Sequence, residues 1–241
     1  MKEVKKINGE VVFQYDDEKD LIDKFNFYFE KNKGKNFRYM ILENINLSGL
    51  NLFMADFSHA ILINVVFSKA VLYNCSFENT VMINVNMEDT NIYHCSFDHS
   101  SLSSLDFSKS NIRKSSFYKC KFIYLNFNAS AIRCTSFDSS VFYESIIYNS
   151  EIIESSIIYA KLYNSNLQNC KFSETNLRGL SVMDSILTTN SFKKCIYGKI
   201  VLFNNDVFFE DMFPRDGMRD LLFRIKLIKS FIGHILRVNR R

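Results

Sequence analysis

The sequence predicts a solenoid, a chain wound tightly on itself that turns a corner in every repeat. Three observations carry this. Every fifth residue from Leu42 to Phe192 is apolar, an unbroken run of 31 positions holding 12 Phe, 10 Leu, 6 Ile, 2 Met and 1 Val. At 47% apolar composition, chance gives such a run with a probability on the order of 10⁻¹⁰. The residue two places earlier is Ala, Ser, Thr, Cys or Val in 24 of the 31 repeats, as at Ala55, Cys75, Thr80 and Ser110. Finally, the 241 residues include only 7 Gly and 1 Pro, so the repeat itself must turn the corners. A period of five is neither the 3.6 of an amphipathic helix nor the 2 of a half-buried strand. One large and one small inward residue per five leaves three outward positions, which are rich in Asn, Ser, Asp and Lys.

The elements follow in chain order. Met1–Glu10 has no apolar run, which argues against a secretory leader. Glu10–Tyr15 reads as a strand, and Asp16-Asp17-Glu18 as an acidic helix start. Leu21, Ile22, Phe25 and Phe27–Phe29 continue that helix toward a stop at Gly34. Residues 1–39 are therefore expected to cap the solenoid, whose ends expose apolar cross-sections and unpaired strand edges. Residues 40–195 are the repeat, and 196–216 a final coil and linker broken by Pro214-Arg215-Asp216-Gly217. Residues 217–241 read as a basic amphipathic helix. Leu221, Ile225, Ile228, Ile232 and Ile235 form its apolar stripe, and Arg219, Lys226, Lys229 and Arg237 gather on the other side. Seven Lys/Arg stand against Asp220 alone in this tail, a net +6 that exceeds the +4 of the whole chain. Three roles are open to it: a C-terminal cap, an element joining two copies, or a helix lying on an anionic membrane. No uncharged apolar run reaches the 18 residues a spanning helix needs.

The repeat resembles the pentapeptide-repeat family, whose pattern is a small residue, Asp or Asn, Leu or Phe, then two variable residues. Ala55-Asp56-Phe57-Ser58-His59, Cys75-Ser76-Phe77-Glu78-Asn79 and Ser165-Asn166-Leu167-Gln168-Asn169 carry the likeness. It spans residues 40–194 and departs at the Asp/Asn position in Ile61, Val66, Val71, Lys121 and Ile146. The start of the chain is similar to the strand–helix entry of phage and bacterial members. The resemblance implies an all-β solenoid, a right-handed quadrilateral β-helix with four repeats per coil. At 20 residues per coil the repeat then makes about 8 coils, a rod ~37 Å long.

That expectation assigns the side chains to faces. Cys75, Cys95, Cys120, Cys170 and Cys195 fall on small inward positions and Cys134 faces outward. This reads as buried free thiols rather than disulfides or a metal site, and it fits a reducing, cytoplasmic setting. Stepping by 20 puts Ile63, Ile83, Ser103, Ile123, Tyr143, Tyr163 and Met183 in one outward column and Ile61, Val81, Ser101, Lys121, Val141 and Lys161 in its neighbour. Such an apolar stripe marks a covered or partner-binding face. The column Ser76, Ser96, Ser116, Ser136, Ser156 is polar throughout. Another runs Phe53, Tyr73, Tyr93, Arg113, Arg133; interleaved aromatic and basic groups can bind nucleic acid, but two Arg are too few and the balance of charge argues against it.

Catalysis finds no support in the pattern. His59 and His99 share a column two coils apart, roughly 10 Å, too far to chelate one metal, and His94 and His234 have no companion ligands. Glu144, Glu151, Glu154 and Glu174 take ordinary outward positions, so neither a cofactor nor a catalytic residue is expected. The sequence thus points to a non-enzymatic scaffold of a bacterium or phage, binding a protein partner or a second copy through its faces and C-terminal helix. Two alternatives stay open. One is a DNA gyrase or topoisomerase modulator, implied by the family resemblance alone and opposed by the lack of a dense acidic stripe. The other is a protein docked peripherally on a membrane through residues 217–241.

Overall fold

Large inward residues and a small neighbour in each repeat wind the chain into a four-sided β-solenoid of about 8 turns. The structure, a computed structural model, describes residues 2–31, 34–203 and 206–207. The expected helix over 217–241 lies outside the described residues. Each short strand pairs in parallel with the one a full turn on, as in Ile61↔Val81, Lys121↔Val141 and Ile132↔Ile152. Two opposite sides are continuous sheets. The first sheet has 11 strands and the second 7. The first runs through Ile61–Ile63, Val81–Ile83, Ser101–Ser103, Lys121–Ile123, Val141–Tyr143, Lys161–Tyr163, Ser181–Met183 and Val201–Phe203. The second starts at Val71–Tyr73 and ends at Ser191–Lys193.

The interior is a stack of rings. Phe37, Phe57, Phe77, Phe97, Phe117 and Phe137 lie face to face, with centroids 4.2–4.9 Å apart. Phe67, Phe107 and Phe127 meet them edge-on, the arrangement that aromatic quadrupoles favour. Phe37 stands one repeat ahead of Leu42, so the stack begins earlier than the apolar run read from the sequence. It ends at Ile157, and a narrow void of about 30 Å³ follows among Phe137, Ile157 and their neighbours. Small inward hydroxyls close the remaining space and satisfy backbone groups that would otherwise be buried without partners. Ser100 Oγ donates to Phe77 O at 2.6 Å and accepts from the Thr80 N–H at 3.0 Å.

One residue per repeat turns the corner, and it does so in the left-handed region. Asn64, Lys69, Asn74, Asn79 and Asn84 have φ between 53° and 60°. Among the described residues thirty non-Gly residues share this conformation, and Gly49 and Gly179 complete the series. An L-residue there costs about 1–2 kcal/mol, so the corners are held by the ladders around them rather than by Gly. At the Asp/Asn position a second device operates. Asp56, Asn86 and Asp106 each accept the N–H two residues on at 2.8–2.9 Å, forming Asx turns. On the third side, Asn46 through Asn126 make one isolated bridge per coil. From Ile146 on, that side becomes a 4-stranded sheet: Ile146–Tyr148, Asn166–Gln168, Ile186–Thr188 and Asp206–Val207.

The N-terminal residues differ in one respect from the sequence reading. Strands β1 (Lys2–Lys6) and β2 (Val11–Tyr15) form an antiparallel hairpin that turns at Gly9, φ 87°. The first of these was not expected. Its free edge pairs with β3 (Met40–Glu43) through Lys5↔Ile41 and Lys6↔Met40, so the hairpin covers the exposed edge of the first sheet. Helix α1 (Glu18–Lys31) starts with Asp17 accepting the Asp20 N–H and Asp20 accepting the Asp16 N–H, a reciprocal cap. Its buried Phe25 meets Phe13 and Phe37 edge-on at 5.0 and 5.1 Å. Hairpin and helix together close the open end of the first coil.

Candidate functional site

The outward residues of each strand are set by the pleat, so a column of every twentieth residue is a ladder across the sheet. On the first sheet the apolar residues named from the sequence fall together. Val81, Ile83 and Tyr143 are 37–43% exposed, and Ile61, Ile63, Ile123, Val141 and Tyr163 are half-buried by their neighbours. The rings of Tyr143 and Tyr163 stack at 5.1 Å. The structure extends this surface at both ends: Ile41 precedes Ile61 in one column, and Phe203 follows Met183 in the other. The same twenty-residue step reaches them from sequence. Ser101, Ser103, Lys121 and Lys161 interrupt the ladder near its middle. With strands ~4.8 Å apart, eight steps from Ile41 to Val201 give a face ~38 Å long. Among the described residues no element lies over it.

The second sheet carries the aromatic–basic column. Phe53, Tyr73 and Tyr93 stack at 5.1 and 5.2 Å. Lys114 Nζ sits 5.4 Å over the Tyr93 ring, and hydrogen bonding with that tyrosine raises the lysine above its ordinary pKa. Below it Glu151 takes both Arg133 and Lys171, at 3.5 and 3.2 Å. Positive groups here already have partners. The serine column from Ser76 to Ser156 forms the fourth side, bridged coil to coil.

The inward cysteines take the place of the inward serines, Cys120 Sγ donating to Phe97 O at 2.9 Å and Cys170 Sγ to Ile147 O at 3.0 Å. Cys75, Cys95, Cys120 and Cys170 are buried free thiols, Cys195 is half-buried because it sits near the final coil, and Cys134 is exposed. Burial pushes the Cys120 thiol up to about 12 and the Cys170 thiol up to about 11. Such groups stay protonated and unreactive at neutral pH. Among the described residues, no group of three His, Cys, Asp or Glu converges as a metal site. No described helix is long and apolar enough to cross a membrane. The tail residues Leu221, Ile225, Ile228, Ile232, Ile235, Arg219, Lys226, Lys229 and Arg237 lie outside the described residues.

Comparison with known proteins agrees with this geometry. The family model for pentapeptide repeats, in 8 copies, matches residues 36–68 and 150–188, and the model for a pentapeptide repeat region matches 70–141. Among solved structures the chain is similar to QnrB1, a plasmid-mediated fluoroquinolone resistance protein. Identity is 14% and the TM-score 0.48, over 65% of this chain and 88% of that one. It is also similar to HetL, a pentapeptide repeat protein involved in heterocyst differentiation regulation in the cyanobacterium Nostoc sp. strain PCC 7120. There identity is 12% and the TM-score 0.33, over 73% and 92% of the two chains. Rfr23 from the cyanobacterium Cyanothece 51142 matches at 13% identity and a TM-score of 0.33, over 52% and 89%. No curated protein sequence matches the chain.

Proposed function

Because the chain belongs to the pentapeptide-repeat family, we propose that it is a non-enzymatic scaffold that binds a protein partner through the apolar side of its first sheet. One observation carries this reading. Val81, Ile83, Tyr143 and Phe203 stand 37–46% exposed in adjoining columns of one flat, rigid surface. A solenoid keeps its core inside and has no structural need of apolar groups outside. This apolar ladder, interrupted by Ser101, Ser103, Lys121 and Lys161, is an exposed apolar patch of the kind that marks contacts. Parallel short strands fix these side chains before binding, so little ordering cost remains to be met on association.

The topoisomerase reading has less support. No outward column carries carboxylates on more than two successive coils, so no acidic stripe is available to imitate a duplex.

The test is a comparison of the full chain with a double variant, Ile83→Asp and Tyr143→Asp. Light scattering across a range of concentrations reports self-association, and affinity capture reports other proteins. Both substitutions are outward, so thermal melting should change little. A self-associated state or a captured partner that is lost in the double variant supports the reading. Identical mass and identical captured proteins in both would overturn it.

A further inference from the structure

The third side holds a cleft of about 600 Å³ where the Asx turns give way to strands. Three properties meet in it. The first is charge. Glu144 lies at its corner and forms no ion pair among the described residues. The three outward columns of this side, through Asn44, Asn46 and Ser48 and every twentieth residue after them, contain no Lys or Arg as far as Thr188. Other carboxylates find cations: Asp56 holds Arg38, Glu151 holds Arg133 and Lys171, and Glu88, on this side but well before the cleft, holds Lys109.

The second property is two aromatic faces without ring partners. Tyr124 is 55% exposed and Tyr148 39%. Neither stacks on a neighbour, whereas Tyr73 and Tyr93, or Tyr143 and Tyr163, cover each other. The third is a pair of unanswered acceptors. Asn128 Oδ1 and Asn166 Oδ1 are shielded from water and have no hydrogen-bond donor. An oxygen in that state costs about 1–3 kcal/mol. Nothing holds either amide oxygen where it is, and the terminal torsion of Asn is soft, so each oxygen can rotate toward a ligand.

We propose that this cleft binds an arginine side chain presented by a basic peptide segment. A guanidinium is planar, permanently charged, rich in donors and without acceptors. Its plane lies on a tyrosine face, its charge pairs with Glu144, and its remaining N–H groups reach the free amide oxygens. A phosphate or carboxylate ligand would meet Glu144 with like charge. A neutral sugar would leave that carboxylate without a counter-charge. The site lies on a different side from the apolar face, and its test does not depend on what that face binds.

Calorimetric titration of the full chain at low salt with an amidated Gly-Arg-Gly-Arg-Gly peptide tests this. The citrulline version is the neutral control and maltohexaose the sugar control. The arginine peptide is expected to bind, with the citrulline peptide at least about tenfold weaker, the worth of one charge-assisted hydrogen bond. Glu144→Gln should weaken binding about tenfold and Tyr148→Ala about fivefold. Glu154→Gln removes the same charge from another side and should leave affinity unchanged. Equal loss from Glu154→Gln would mean unspecific attraction and would overturn the proposal. So would binding of maltohexaose in place of the arginine peptide, or no binding of the peptide at millimolar concentration. Matching melting curves for all variants confirm that they fold.

Discussion

Replacing Ala129 by Gly should stabilise this protein, although glycine in regular structure ordinarily weakens it. Ala129 is exposed and sits at a corner with φ 57°. Its methyl group meets the steric penalty of the left-handed region, about 1–2 kcal/mol. Glycine removes that penalty but adds freedom to the unfolded chain, which costs about 0.4–1 kcal/mol. The net gain is about 0.5–1 kcal/mol. The Ala129 N–H, which donates to Tyr148 O at 2.8 Å, is retained. Ala131 is the internal control. It lies two residues on, in the strand Ala131–Arg133 paired to Asn111 and Glu151, outside the left-handed set. Glycine there relieves nothing and costs about 0.5–1 kcal/mol. Urea unfolding of both variants, followed by circular dichroism, should move the midpoints in opposite directions with unchanged slopes. If both fall together, the corners store no strain and the account given for them is wrong.

Three further outcomes follow from the interior. Ile157→Phe should extend the ring stack from Phe137 into the 30 Å³ void; at about 24 cal/mol per Å³ plus one stacked pair, urea midpoints should report a gain of about 1 kcal/mol, and a loss of that size would show the void to be too narrow. Ser140 Oγ accepts the Cys120 N–H at 2.9 Å and donates to Phe117 O, so Ser140→Ala should cost about 1–3 kcal/mol and Ser140→Cys less, because Cys120 and Cys170 already take this role; equal costs would refute a hydrogen-bonding role. In thiol labelling at pH 8, Cys134 should react promptly while Cys75, Cys95, Cys120 and Cys170 react only on unfolding. Since burial raises Cys120 and Cys170 from the ordinary thiol range near 9 to about 12 and about 11, their protonated state favours the fold fully below pH 9 and progressively less as pH rises to 12. A urea midpoint that holds steady from pH 8 to 11 would contradict this.

The interior was legible because every inward position obeys one rule. Leu42 to Phe192 must each fill a similar space at the same place in the coil, so the constraint recurs at a fixed interval. The hairpin strand β1 was missed because Lys2–Lys6 exposes charge on either side of a single buried residue, Val4. The Asn8-Gly9 pair between Val4 and Val11 was the available signal, since that dipeptide favours hairpin turns. The apolar face was readable by the twenty-residue step alone. The cleft was not, because it depends on which backbone form the third side takes. That form changes at Ile146, yet Val66 keeps the bridged turn and Asn166 lies in a strand, so the residue at this position does not announce it. Tyr124, Glu144 and Tyr148 look like three unrelated outward residues until the coil brings them together.

Outward columns have no shared rule, and that freedom gives the sides different chemistry. A change that suits one column leaves the others untouched, because the pleat sends neighbouring residues to different places while the coil joins residues a turn apart. The first side is apolar, interrupted by Lys121 and Lys161. The second neutralises its own basic groups through Glu151. At its cleft the third offers Glu144 and two tyrosines and no base. Ile83 and Glu144 stand three coils apart around a corner, a separation beyond which substitutions act independently. Combining Ile83→Asp with Glu144→Gln should therefore give the sum of the two binding losses, each measured with its own ligand. A loss of arginine binding on Ile83→Asp alone would mean that the rod transmits strain between its sides, and the treatment of each side as a separate surface would have to be abandoned.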